Sequence, residues 1–161
     1  MSSGPKGRIT FRIAAIFFLL SALLEILSLT SQVPLFGALR GGILAAVYHL
    51  IYVLLFLGLG IGLWRAKPWG YRLVFAVTLF YTLDKILYLL YRESMKAWLE
   101  QQLSGYEEML QFIDIRIILQ MVMLLMLLFV ACWWGFAVYT YWRREYFGLR
   151  QKSETPASSN K

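Results

Sequence analysis

Residues Ile117–Trp142 read IILQMVMLLMLLFVACWWGFAVYTYW, 26 consecutive positions without a charged side chain. A helix rises about 1.5 Å per residue, and the hydrocarbon core of a bilayer is about 30 Å thick. This run therefore reaches across a membrane with length to spare, which predicts tilt or extension into the headgroup layer. A soluble domain of this size has no interior large enough to hide it.

Three more stretches meet the same length requirement. Ile9–Thr30 carries Arg12 and Glu25, and Ile43–Trp64 carries no formal charge. Trp69–Tyr91 carries Arg72 near its start and Asp84-Lys85 near its end. With the fourth span taken as Ile115–Trp142, residues 1–152 read as an all-α, polytopic four-helix membrane bundle. The Ser/Pro/Asn-rich tail at 153–161 predicts disorder.

Composition agrees. The 161 residues are 60% hydrophobic and 16% charged, against about 25% charged in an ordinary soluble domain. A soluble enzyme domain and a disulfide-stapled secreted module are excluded. Cys132 is the single cysteine and His49 the single histidine, so neither an intrachain disulfide nor a His-rich metal site is available to one chain. No metal-ligand spacing or cofactor motif occurs, and no cofactor is expected. The net charge of +7 reflects membrane orientation rather than nucleic-acid binding.

That orientation follows from where the cations fall. Lys6, Arg8, Arg12, Arg65, Lys67, Arg72, Arg143, Arg144, Arg150, Lys152 and Lys161 account for eleven of the sixteen and all lie on one side. The positive-inside rule then places both termini in the cytoplasm. Trp64, Trp69, Tyr71, Tyr139, Tyr141 and Trp142 form an aromatic belt on that side. The compact chain with short loops favours a bacterial inner membrane. Between spans three and four, residues 93–114 place Met95, Trp98, Leu99, Leu103, Tyr106, Met109, Leu110 and Ile113 at three- and four-residue steps. This predicts an extracytoplasmic amphipathic helix lying on or capping the bundle, with a break near Ser104-Gly105.

Ionisable groups inside a membrane are costly and need a partner, a wet cavity or a task. Counting helical rise, Glu25, His49 and Asp84-Lys85 fall about 8–10 Å inside the outer ends of their spans, and Arg116 and Gln120 lie within about 8 Å of the outer start of span four. Phase agrees with depth. Ser21, Glu25, Ser28 and Gln32 share one stripe of span one, while Thr78, Tyr81, Lys85, Tyr88 and Arg92 share one of span three, with Asp84 at its border. Tyr48, His49 and Tyr52 cluster in span two, and Arg116 and Gln120 share a face of span four. The expected result is a polar pocket toward the outer leaflet, lined by all four helices. Adjacent residues point about 100° apart, so Asp84 and Lys85 are each expected to pair across helices. Glu25 with Lys85, and Asp84 with Arg116 or His49, are the expected pairs.

Such a layer can be a self-neutralising structural network, or it can bind something. The leading expectation is a non-enzymatic small membrane protein whose pocket takes a lipid-like or quinone-like ligand or a partner helix, or a subunit of a membrane complex. Candidate ligand-binding residues are Glu25, His49, Tyr52, Tyr81, Asp84, Lys85, Tyr88, Arg116 and Gln120. The alternative is a small proton-coupled transporter with Glu25 as the coupling carboxylate. Ala22-Leu23-Leu24-Glu25-Ile26 resembles the first helix of small four-span multidrug transporters, which carry a membrane-embedded glutamate; the likeness covers one helix. An enzyme is not favoured, because no nucleophile stands in a recognisable setting. Gly58 and Gly62 form a small-xxx-small face that serves either intrachain packing or a homodimer.

Overall fold

The computed structural model describes residues 7–104 and 114–149. In chain order the elements are α1 (Arg8–Leu27), β1 (Val33–Leu35), β2 (Ala38–Arg40), α2 (Gly42–Trp64), α3 (Pro68–Leu90), α4 (Arg92–Gln102) and α5 (Ile115–Trp142), then a 3-10 turn at Arg144–Phe147. Helices α1, α2, α3 and α5 are each long and apolar enough to cross a membrane. They pack in the order α1–α2–α3–α5. Aromatic rings bring the first and last together: Phe18 sits 5.2 Å from Trp133, and Phe11 sits 6.1 Å from Phe136.

Neighbouring helices run antiparallel, so the bundle has two ends: a terminal end, where α1 starts and α5 finishes, and a hairpin end, where β1 and β2 lie. The α2–α3 link at the terminal end is tight because the sequence caps it on both sides. The Lys67 amide donates to the Gly62 carbonyl (3.1 Å) and the Ala66 amide to Leu63 (3.2 Å), with Ala66 in the left-handed region at φ 51°. Pro68 then opens α3, where its missing N–H costs nothing.

This link forces α2 against α3 at two glycines. A Cβ added to Gly62 would lie 2.7 Å from the Gly70 Cα. Gly60 faces the other way, and its Cβ would meet Leu19 of α1 at 2.7 Å. Intrachain packing therefore uses the small residues of α2 on both sides. Three threonine hydroxyls in the spans bond within their own helix: Thr78 donates to Val74 O (2.7 Å), Thr82 to Thr78 O (2.7 Å) and Thr140 to Phe136 O (2.8 Å).

The terminal end is sealed from below. After α5 the chain folds back, and the Tyr146 hydroxyl donates to the Leu63 carbonyl at 2.9 Å. Its ring stacks on Phe11 at 4.6 Å, and Phe147 is fully buried beside it. Burial raises the Tyr146 pKa, against the opposing influence of Arg12 and Arg8.

Two features of the hairpin end differ from expectation. The link between the first two spans is an antiparallel hairpin, with Leu35 paired to Ala38 across a two-residue turn. Phe36 (φ 49°) and Gly37 (φ 79°) both take positive φ, as the twist-matched hairpin turn demands. Tyr91 packs against Gly37 at the break between α3 and α4. Within the expected amphipathic segment the structure has helix α4, Arg92–Gln102; residues 105–113 of that segment, and the 153–161 tail, lie outside the described residues.

Candidate functional site

Glu25 enters near the end of α1 and meets His49 of α2, with Oε2 2.6 Å from Nδ1. On α2, Tyr48 and Tyr52 are one turn apart and face α3, while His49 is rotated about 100° toward α1. That rotation separates the polar residues of α2 into two jobs. The two tyrosines both donate to Asp84 Oδ2, Tyr52 at 2.6 Å and Tyr48 at 3.0 Å. Tyr48 also lies 3.2 Å from the Tyr88 hydroxyl.

Lys85 completes this second cluster. Its Nζ donates to Asp84 Oδ2 at 2.8 Å. The same ammonium stands 4.4 Å from the Tyr88 ring centroid, 5.1 Å from Tyr81 and 5.8 Å from Tyr52. Three ring faces and one carboxylate therefore surround one cation, an arrangement that gains strength as water is removed.

The pairs are not those expected from the sequence. Glu25 pairs with His49 rather than Lys85, and Asp84 pairs with its neighbour Lys85 rather than with Arg116 or His49. The two Cβ atoms do diverge, but the four-carbon lysine stem swings back, and the tyrosines of α2 supply the interhelical contacts Asp84 needs. Arg116 and Gln120 are exposed on the first turns of α5, and neither lines the cavity described next. The first half of α5 is not buried against the other helices. Sequence depth gives the height of these two residues but not the direction in which they face.

A cavity of about 380 Å³ opens beside these clusters. Its walls are Glu25 and Ser28 of α1, Tyr48 and His49 of α2, and Lys85 and Tyr88 of α3; Met95, Trp98 and Gln102 of α4 and Val33 and Pro34 of the hairpin close it, and α5 supplies Met126. Tyr52, Tyr81 and Asp84 sit behind this wall. Tyr48, Trp98 and Gln102 were not among the candidate residues. The signal for Tyr48 was its position one turn before Tyr52; the part played by α4 depends on the chain break at Tyr91. The His49 Nε2 is buried without a hydrogen-bond partner among the described residues, a state that costs about 1–3 kcal/mol.

A second cavity, of about 330 Å³, lies one turn nearer the terminal end and is lined by Phe18, Ser21, Phe56, Tyr81, Phe129, Cys132, Trp133 and Phe136. The register is consistent on three helices: Ser21 precedes Glu25 by four residues, Tyr81 precedes Lys85 by four, and Phe129 follows Met126 by three. Each step is about 5 Å along the axis. The cavity beside Glu25, His49 and Lys85 thus lies in register with one walled mainly by aromatic rings, along the same helices. Among the described residues no three His, Cys, Asp or Glu side chains converge as a metal site.

The fold defines an integral membrane protein built on four apolar helices. Comparison with protein-family models, curated proteins and solved structures finds no match.

Proposed function

We propose that this is a non-enzymatic membrane protein that holds one lipid-like amphiphile, quinone-like molecules included. The polar head occupies the chamber beside Glu25, His49 and Tyr88, and the apolar chain lies in the aromatic chamber against Phe18, Phe129 and Trp133. The carrying observation is the stacking of these two cavities in register. An amphiphile is the ligand class whose own polarity changes over that distance. The cation distribution supports cytoplasmic termini, with the hairpin end toward the outside of a bacterial inner membrane.

Native mass spectrometry of the protein released in mild detergent tests this reading. The expected spectrum carries a stoichiometric adduct of lipid-like mass, lost in Trp133→Ala and weakened in Glu25→Gln. A clean apo mass overturns it. A retained second protein in place of the adduct moves the role to membrane-complex subunit, with the chamber receiving a partner helix.

One observation favours a second reading. The Glu25–His49 pair is a protonatable couple in the cavity wall, which is what a small proton-coupled transporter needs. Proteoliposomes would then show substrate-driven proton movement that Glu25→Gln abolishes, and no flux with wild-type protein eliminates this reading.

A further inference from the structure

We propose a second lipid site, at the terminal end between α1 and α2, that selects an anionic phospholipid. A groove of about 420 Å³ there is lined by Ile16, Leu19, Gly60, Ile61, Trp64 and Arg65. It is separate from both chambers described above and shares no lining residue with them.

Two arginines flank its mouth. Arg12 lies one turn before Ile16 on α1, and its guanidinium carbon stands 5.3 Å from the Trp64 ring centroid. Arg65 follows Trp64 directly and lines the groove itself. Both arginines are exposed. Among the described residues every ion pair involves His49, Lys85 or Lys96, so neither Arg12 nor Arg65 has a carboxylate partner. Glu145 is the one described acidic residue at this end, against Arg8, Arg12, Arg65, Lys67, Arg72, Arg143 and Arg144. Two unpaired guanidiniums at headgroup depth suit a phosphate, whose oxygens match their planar donor fork. The apolar floor runs from them into the hydrocarbon layer along Ile16, Leu19 and Ile61, so the anion that fits is one attached to an acyl chain. Trp64, half exposed, sits where an indole anchors at the interface.

The test uses the quenching of Trp64 by lipids brominated on their acyl chains. Full-length protein is reconstituted with brominated phosphatidylglycerol or brominated phosphatidylcholine, and a parallel Trp64→Phe protein isolates the Trp64 signal. Phosphatidylglycerol is expected to quench Trp64 at lower mole fraction, with a preference of roughly fivefold for each arginine. Arg12→Gln/Arg65→Gln removes the preference, whereas Arg72→Gln/Arg144→Gln, which loses the same charge elsewhere on this end, retains it. Equal quenching of wild type by the two lipids overturns the proposal, as does equal loss of preference in both double variants, which would reduce the effect to diffuse surface charge. Should the first double variant melt early, Arg65→Gln set against Arg72→Gln makes the same comparison, and equal loss of preference in the two overturns the proposal.

Discussion

Glu25 and His49 face each other across the α1–α2 interface at 2.6 Å, and theirs is the only interhelical ion pair among the described residues. Both belong to spans and both are largely removed from solvent, with side-chain exposures of 26% and 8%. Removing one partner strands the other. Glu25→Ala and His49→Ala are each expected to cost about 2 kcal/mol, while Glu25→Leu/His49→Phe costs less than the sum of its single changes. A double-mutant cycle in thermal unfolding measures the coupling, and additive effects would show that the short distance carries no energy.

The Asp84 cluster has an internal ranking. Asp84→Asn takes the charge from three donors and leaves the Lys85 ammonium with aromatic faces alone. Lys85→Met leaves Asp84 with both tyrosine hydroxyls. Asp84→Asn is therefore the more damaging, with a loss of about 3 kcal/mol, and Tyr52→Phe costs about 1.5 kcal/mol. Chemical unfolding in detergent gives the order, and a reversed order of the Asp84 and Lys85 variants would contradict the geometry.

Glycine contacts separate close packing from helix propensity. Gly62→Ala pushes a methyl to 2.7 Å from the Gly70 backbone, which has no side chain to move aside. It should destabilise by about 2 kcal/mol even though alanine favours the helix. Gly135→Ala on α5 meets nothing within 4 Å and should stabilise by up to about 1 kcal/mol. Opposite signs in the two melting temperatures are the expected outcome.

Phe36 occupies a left-handed position at φ 49° and is 71% exposed. Asparagine tolerates that backbone better, so Phe36→Asn should raise stability by about 1 kcal/mol. A fall in melting temperature instead would show that the exposed ring anchors the hairpin in the interface.

The spans were legible because twenty or more apolar residues in succession have few other homes. Helical rise converts sequence position to height, which groups Glu25, His49 and Lys85 with Arg116 and Gln120; only the first three line one cavity. Their pairing was not legible. Whether Glu25 meets His49 or Lys85 depends on how each helix is rotated against its neighbours, which no local pattern states. The reach of the Lys85 stem defeats any argument made from Cβ directions. The hairpin was hidden because Phe36-Gly37 lacks the usual Asn-Gly signal. The burial of Tyr146 and Phe147 was not legible, because nothing local shows that the chain reverses after Trp142.

That reversal bears on how the molecule is made. Phe11 belongs to α1, yet Phe136, Tyr139, Tyr146 and Phe147, the rings that surround it, all come from α5 and the turn beyond. Helix α1 must wait in the bilayer without these partners until more than a hundred further residues have been synthesised. Closure of this end of the bundle is thus tied to synthesis of α5 and its turn, and a nascent product halted before Arg144 lacks the segment that covers Phe11.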